Sequence, residues 1–329
     1  MLLPFEKIKR EIIVKEETET DSNSGCNPSD RSVKDLINYG IICLNKPQGP
    51  TSHQVSDHVK NILNVSKAGH SGTLDPNVYG LLPVALGKAT RIVQVLLNAG
   101  KEYVALMHLH EDFTEEKIRK ELEKYVGEIT QLPPIKSAVK RQWRKRNVYY
   151  VEILDIKGRD VLFKMGCQAG TYVRKYIHDF GLRLGCGAHM QELVRTKAGP
   201  FNYHQMVSLH DLKDAYEEFV IGNEEWLKKV ILPVENAVGH LSKIWINDSA
   251  VDSMCHGAQL SVPGIVKLHK GVSHSEMVAI MTLKDELVCI GKAVMTTNEI
   301  LEKEKGLAVK ECKVFMDRGT YPRYKREEQ

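Results

Sequence analysis

The spacing of hydrophobic residues predicts a mixture of helices and strands over residues 37–240. Apolar residues recur every three or four positions in several segments, which indicates amphipathic helices. Other segments are short apolar or alternating runs of the kind that form strands. The predicted helices lie at 55–63, 89–97, 114–127 and 172–180, and the predicted strands at 40–44, 103–109, 148–156 and 161–167.

From Lys243 the pattern changes to short apolar runs at close spacing, separated by glycine, proline and polar turns. Runs of this kind predict a small β-rich barrel, which we place at 241–317. Residues 1–36 form an N-terminal extension whose polar stretch at 16–25 is typical of a solvated loop, and a floppy terminus is one interpretation. The charged segment 318–329 is predicted to be a mobile tail.

Composition excludes several classes of protein. The 329 residues are 42% hydrophobic and 27% charged, which predicts a soluble globular chain with room for two domains. Seven cysteines are scattered without a C-x-x-C pair, so we predict reduced thiols in the cytoplasm and neither a disulfide framework nor a zinc site. No apolar run is long enough to span a membrane, and the N-terminus lacks a signal-peptide pattern. The net charge of +4 is compatible with nucleic acid binding without requiring it.

The polar turn at 70–76, His-Ser-Gly-Thr-Leu-Asp-Pro, is the strongest candidate for chemistry. Gly72 permits a tight bend, and Asp75 is biased towards an extended backbone because a proline follows it. Two interpretations are open at this point. Asp75 either bonds its own turn backbone or presents a carboxylate to a substrate.

The most basic stretch of the chain is 136–146, which contains no acidic residue and includes Trp143. Such a run is either a solvated face or a contact for RNA phosphates, in which case binding would depend steeply on salt. Its six cations are Lys136, Lys140, Arg141, Arg144, Lys145 and Arg146.

Several motifs resemble those of the TruB and dyskerin pseudouridine synthases. The sequence GHSGTLDP followed by GLLPVALGKATR is similar to the family signature, and GTYVRKYIHDFG at 170–181 to another of its motifs. The likeness extends over nearly the whole chain and is greatest for archaeal dyskerin-type members, the catalytic subunits of box H/ACA ribonucleoproteins. It implies an α+β fold with a mixed-sheet catalytic domain at 37–240, a PUA domain at 241–317, and an extension at 1–36 that packs on the PUA domain.

The resemblance also implies roles for individual residues. Asp75 takes the place of the catalytic aspartate, which either attacks as a nucleophile or abstracts a sugar proton. Arg174 takes the place of the arginine that pairs with it, and such a pair would lower the carboxylate pKa. Tyr103 lies at the position of the tyrosine that stacks on the base and is assigned to removal of the C5 proton. The residues expected around the substrate are His70, Tyr172, Leu193 and Lys46, the last of which supports the active-site loop together with Pro47.

RNA contacts follow from the same resemblance. The basic loop, through Lys140, Arg141, Arg144, Lys145 and Arg146, corresponds to a mobile thumb over the substrate strand. In the PUA domain we expect contacts from His256, Gly257 and Lys267, although His256 could equally be a core or surface histidine. The implied partners are guide RNA, ribosomal RNA, transfer RNA and small protein subunits, and no metal or organic cofactor is implied.

The sequence and the resemblance leave four candidate functions. The first is a guided enzyme acting on ribosomal RNA, and the second a stand-alone enzyme modifying a uridine in the TΨC arm of transfer RNA. The third is a catalytically silent RNA scaffold, against which the presence of Asp75, Tyr103 and Arg174 argues. A carboxylate-pair hydrolase has little support, because no second acid lies within the Asp75 motif.

Overall fold

The structure is a computed structural model that describes residues 1–134 and 139–323. Its helices are α1 Val33–Tyr39, α2 Ser52–Ile62, α3 Val93–Asn98, α4 Glu115–Glu123, α5 Val173–Leu184, α6 Leu209–Val220, α7 Glu225–Val230, α8 Asp248–Cys255 and α9 Thr297–Glu302. Its strands are β1 Ile12–Val14, β2 Gly40–Lys46, β3 Ala68–His70, β4 Tyr79–Leu86, β5 Lys101–Leu109, β6 Gly127–Gln131, β7 Arg144–Lys157, β8 Asp160–Cys167, β9 Ala188–Ala198, β10 Phe201–Asn202, β11 Leu232–Pro233, β12 Ser242–Ile246, β13 Leu260–Ser261, β14 Ile265–His269, β15 Met277–Met281, β16 Leu287–Ala293 and β17 Leu307–Val314.

A ten-stranded mixed sheet organises the larger domain. The main path runs β11-β2-β4-β9-β5-β8-β7-β6, with β3 on β4 and β10 on β9. β4 and β9 are parallel and meet only at Tyr79 and Gly80, which pair with Val194 and Arg195. A Cβ atom at Gly80 would lie 2.5 Å from the Arg195 carbonyl oxygen, so glycine is required for this close approach. The junction joins two halves of the sheet, and the 70–76 turn precedes it directly.

The C-terminal domain is a second sheet, with strand order β1-β14-β12-β15-β16-β17-β13. Its core is apolar and includes Ile244, Leu268 and Val288, each of which is fully buried. Two of the short apolar runs that follow Lys243, at 277–281 and 287–293, form β15 and β16. The expected α+β class, with a β-rich C-terminal domain, is confirmed.

The N-terminal extension lies on the C-terminal domain. β1 pairs antiparallel with β14 and is therefore an edge strand of the C-terminal sheet. Thr20 and the main-chain N–H of Asp21 donate to the carboxylate of Asp248. The ammonium of Lys284 in turn donates to the carbonyl oxygens of Asp21 and Ser24. The stretch 16–25 is thus fixed by tertiary hydrogen bonds, although its composition is typical of a solvated loop.

Three boundaries differ from the sequence prediction. The helix predicted over 114–127 ends at Glu123, and Gly127, with φ +103°, begins β6 instead. β7 begins at Arg144, so the last three cations of the basic stretch belong to a strand paired with β6. Tyr321, within the predicted mobile tail, is 1% exposed and donates to Glu286 at 3.0 Å. The packed part of the chain therefore extends beyond residue 318.

Candidate active site

The turn that carries Asp75 is fastened to the domain from two sides. The Oγ of the buried Ser52, at the start of α2, accepts from the N–H of Leu74 at 2.9 Å and donates to its carbonyl at 3.1 Å. The ammonium of Lys46 donates to the carbonyl oxygens of Pro76 and Val78 at 3.2 and 2.9 Å. These hydrogen bonds show that Lys46 supports the loop. Because Lys46 is fully buried, its side chain has no exposed surface that a substrate could contact.

Asp75 forms an ion pair with Arg174, which lies in the first turn of α5. These residues are 99 positions apart in the sequence, and the fold brings them together as the resemblance implied. The side chains of Asp75 and Arg174 are 54% and 58% exposed, so the carboxylate faces open solvent. Water would therefore be excluded from this site only when a bound molecule covers it.

The start of α5 is held by Gln131 at the end of β6. Its side-chain amide accepts from the N–H of Tyr172 at 3.0 Å and donates to the Tyr172 carbonyl at 3.1 Å. Tyr172 is the N-cap residue of α5, two positions before Arg174. Because Gln131 is buried, these two hydrogen bonds fix where the helix begins and hence where Arg174 emerges.

The floor of the site is formed by β5 and β9. Tyr103 lies opposite Arg195, and Ala105 lies opposite Leu193, which is 7% exposed. Burial raises the pKa of the Tyr103 phenol, and the neighbouring Arg195 guanidinium opposes that rise. Both predicted pocket residues of these strands, Tyr103 and Leu193, thus lie on the sheet that supports the Asp75 loop.

His70 lies at the start of the loop and packs edge-on against His53, with ring centroids 4.8 Å apart. Neither ring nitrogen of His70 has a hydrogen-bond partner among the described residues. Burial, followed by the nearby His53, lowers the pKa of His70 to about 4. His70 is therefore neutral at physiological pH, which suits contact with a base better than contact with a phosphate.

One cation of the predicted basic thumb forms an ion pair with an acidic residue. Lys145 forms an ion pair with Glu128 of β6 at 2.8 Å, so an acidic residue from outside the stretch pairs with one of its cations. The guanidinium of Arg146 lies against Gly170, whereas Lys140 and Arg141 are exposed beside Trp143, which is 67% exposed. Lys136 lies outside the described residues.

The predicted RNA contacts of the C-terminal domain lie apart from Asp75 in the sequence. His256 caps the C-terminus of α8 and bonds the carbonyl of Asp252, and Gly257 follows with φ +90°. Lys267, in β14, places its ammonium 5.0 Å from the centroid of the Trp245 ring. His256 and Gly257 are exposed, whereas Lys267 is half-buried.

Within the described chain, His, Cys, Asp and Glu side chains form no group of three that could hold a metal ion. In the same residues no helix has both the length and the apolar character needed to cross a membrane.

Sequence reasoning missed three residues that shape the site. Ser52, Gln131 and Arg195 are all buried, and each bonds backbone that carries a predicted active-site residue. A single serine, glutamine or arginine in a helix or strand carries no local signal of such a role. Their partners lie between 22 and 123 positions away, so only the tertiary structure brings them together.

Four family models match consecutive parts of the chain. They are the DKCLD domain at 3–56, the TruB family pseudouridylate synthase N-terminal domain at 60–116 and 110–173, the tRNA pseudouridylate synthase B C-terminal domain at 174–239, and the PUA domain at 242–314. The TruB models include Asp75, Tyr103 and Arg174, and the PUA model includes His256 and Lys267.

Similar proteins match this chain over nearly its whole length. A probable tRNA pseudouridine synthase B of Thermococcus kodakarensis is 57% identical over 100% of this chain and 98% of its own. A solved Cbf5-Nop10-Gar1 complex contains a chain that is 56% identical, with a TM-score of 0.94 and coverage of 98% and 99% of the two chains. A structure of an H/ACA RNP bound to a substrate RNA containing 2′-deoxyuridine matches at 54% identity and a TM-score of 0.92, covering 98% and 99%.

Proposed function

Because the chain belongs to the TruB family of pseudouridine synthases, we propose that it isomerises uridine in ribosomal RNA at positions selected by a box H/ACA guide RNA. The observation that carries this proposal is the match of 98% of the chain to a structure of an H/ACA RNP bound to substrate RNA. The partners would then be the guide, the substrate RNA and small protein subunits such as those of the Cbf5-Nop10-Gar1 complex. Seven free cysteine thiols support a cytoplasmic location, since reducing compartments keep thiols free.

Uridine isomerisation breaks the C1′–N1 bond, turns the uracil and joins its C5 atom to C1′. Asp75 would begin the reaction, either by attacking C1′ or by abstracting a sugar proton. Arg174 would keep the carboxylate ionised and aimed, as its ion pair with Asp75 allows. Tyr103, Tyr172, Leu193 and His70 would surround the flipped base, whose removal from the stack costs about a few kcal/mol.

A second substrate is proposed beside the first, because relatives that match the full chain are described as probable tRNA pseudouridine synthase B. We infer that a uridine in the TΨC arm of transfer RNA is also modified. Both substrates would use the same active site, and only the means of locating the target would differ.

The test of both substrates is tritium release from RNA labelled at uridine C5. Release from an H/ACA-guided ribosomal RNA fragment, with the guide and the small protein subunits present, is expected for the guided function. Release from an unguided transfer-RNA transcript by the chain alone is expected for the second substrate. A chain that binds both RNAs without release from either would be a scaffold, and both proposals would be wrong.

The basic loop is proposed to contact the phosphates of the substrate strand. Replacing Lys140, Arg141, Arg144 and Lys145 by Ala should flatten the salt dependence of substrate binding, by at most about 3 in the slope of log K against log salt. The measurement is substrate affinity between low and moderate salt. A matched control replaces Lys213, Lys228 and Lys229, which are exposed on α6 and α7. If the slope of log K against log salt were the same in the two variants, the basic loop would be a solvated face that does not contact RNA.

A further inference from the structure

Arg195 is a buried cation without a carboxylate partner. It lies in β9, its side chain is 1% exposed, and in the described residues no ion pair includes it. Its charge lies close enough to Lys46 and Lys101 to lower the pKa of both ammonium groups, in each case after burial. An isolated buried charge opposes folding unless hydrogen bonds compensate it.

The hydrogen bonds of Arg195 converge on the proposed active site. Its Nε donates to the carbonyl of Leu81 at 2.7 Å, and one terminal nitrogen donates to the carbonyl of Gly72 at 3.2 Å. The guanidinium also lies close enough to the phenol of Tyr103, its cross-strand neighbour, to oppose the rise that burial causes in the Tyr103 pKa. Gly72 precedes Asp75 by three residues, and Leu81 lies in β4, which follows the loop.

We propose that Arg195 is a positioning residue for the isomerisation, which ties the Tyr103 hydroxyl to the loop that carries Asp75 and stabilises that oxygen when it takes the C5 proton. The inference rests on the proposed function. A planar guanidinium suits this task because its donors point in fixed directions and reach several acceptors together. A lysine at this position would keep the charge but lose the fixed geometry.

The C5 proton is removed after the new C5–C1′ bond has formed. Once C5 has joined C1′, C5 carries both the sugar and its original hydrogen, and the ring holds an N1=C6 double bond. The ionised oxygen of Tyr103 takes the proton from C5, and the C–H electron pair becomes the C5=C6 bond. The N1=C6 electrons move to N1, which takes a proton from water. A fixed cation beside Tyr103 favours its ionised form and so assists this step.

The experiment compares Arg195→Met and Arg195→Lys with the wild type in single-turnover reactions. In Arg195→Met the rate at pH 7 should fall at least about tenfold, as expected for loss of a hydrogen bond to a charged group. The rise of its rate with pH should move to higher pH, because without the cation Tyr103 ionises less readily. The deuterium isotope effect at uridine C5 should rise as proton removal becomes slower, while RNA affinity stays within about twofold. Arg195→Lys should lie between Arg195→Met and wild type.

Lys101→Met is the matched control, since it removes another buried basic side chain close by. Among the described residues, the Lys101 ammonium donates only to the carbonyl oxygens of Leu96, Leu97 and Ala99. This variant should lose thermal stability but keep the wild-type pH profile and isotope effect. If both Arg195 variants also keep them, Arg195 is structural and the inference is wrong; should Arg195→Met fail to fold, Arg195→Lys decides alone. Absence of wild-type turnover on any RNA would overturn the proposed function and this inference with it.

Discussion

Replacing Asp75 by Asn is expected to lower pseudouridine formation by at least about three orders of magnitude, the scale of removing a covalent nucleophile. Asparagine matches the shape of the carboxylate but can neither attack C1′ nor take a proton. It also leaves Arg174 without its ionic partner, and that arginine is exposed enough to be solvated. RNA affinity should stay the same or rise slightly, because one negative charge facing the phosphates is removed. Tritium release and a binding titration measure the two effects.

A suitable control for this substitution is Asp112→Asn. Asp112 is also an exposed carboxylate paired with an arginine, since it bonds the guanidinium of Arg159 at 2.7 and 3.0 Å. It lies outside the Asp75 loop, in the segment between β5 and α4. Full activity is expected in this variant. If Asp75→Asn kept more than about a tenth of the wild-type rate, Asp75 would be excluded as the group that starts the reaction.

The residues of the site differ in how far the sequence revealed them. Asp75 could be found because its turn is a continuous motif, in which glycine and proline restrict the backbone around one carboxylate. Arg174 could be paired with it only by resemblance, since nothing in the spacing of α5 distinguishes it from a surface arginine. Gln131 and Arg195 could not be found at all, because their roles depend on which strands become neighbours in the sheet.

The fold was predictable where local pattern and tertiary environment agree. β15 and β16 consist mainly of apolar residues, and α4 begins within the predicted helix 114–127, directly after its N-cap Thr114. β9 was not predicted as a strand, because polar and charged residues interrupt it along 188–198. β17 was missed for the same reason, since Lys310, Glu311 and Lys313 interrupt its apolar residues. Charged strands of this kind are stabilised by neighbouring strands, and the sequence alone does not identify those neighbours.

The N-terminal extension ends in a buried ion pair that no local pattern indicates. Arg31 makes two hydrogen bonds of 2.8 Å to the carboxylate of Glu235, and these side chains are 9% and 8% exposed. Glu286 of the C-terminal domain lies 3.9 Å from the same guanidinium. Glu235 also accepts from the main-chain N–H of Leu287 at 3.0 Å. One arginine of the extension therefore joins the end of the catalytic domain to the C-terminal domain.

Replacing Arg31 by Met is expected to lower the free energy of unfolding by about 3–5 kcal/mol, the usual cost of removing one partner of a buried ion pair. Methionine replaces the aliphatic stem of the arginine but leaves Glu235 and Glu286 buried close together without a cation. The repulsion should also release the extension, so proteolysis within residues 16–31 should become faster. Urea denaturation and limited proteolysis measure these effects.

Lys270→Met provides the matched comparison, because Lys270 also joins the extension to the C-terminal domain. Its ion pair with Glu11 has a length of 3.0 Å, but the two side chains are 65% and 54% exposed. Water and salt screen such a pair, so its loss should cost at most about 1 kcal/mol. Equal destabilisation by the two variants would mean that burial adds nothing to the Arg31 pair. A large difference would identify Arg31 as the residue through which the extension stabilises both domains, and the extension would then be an integral part of the fold.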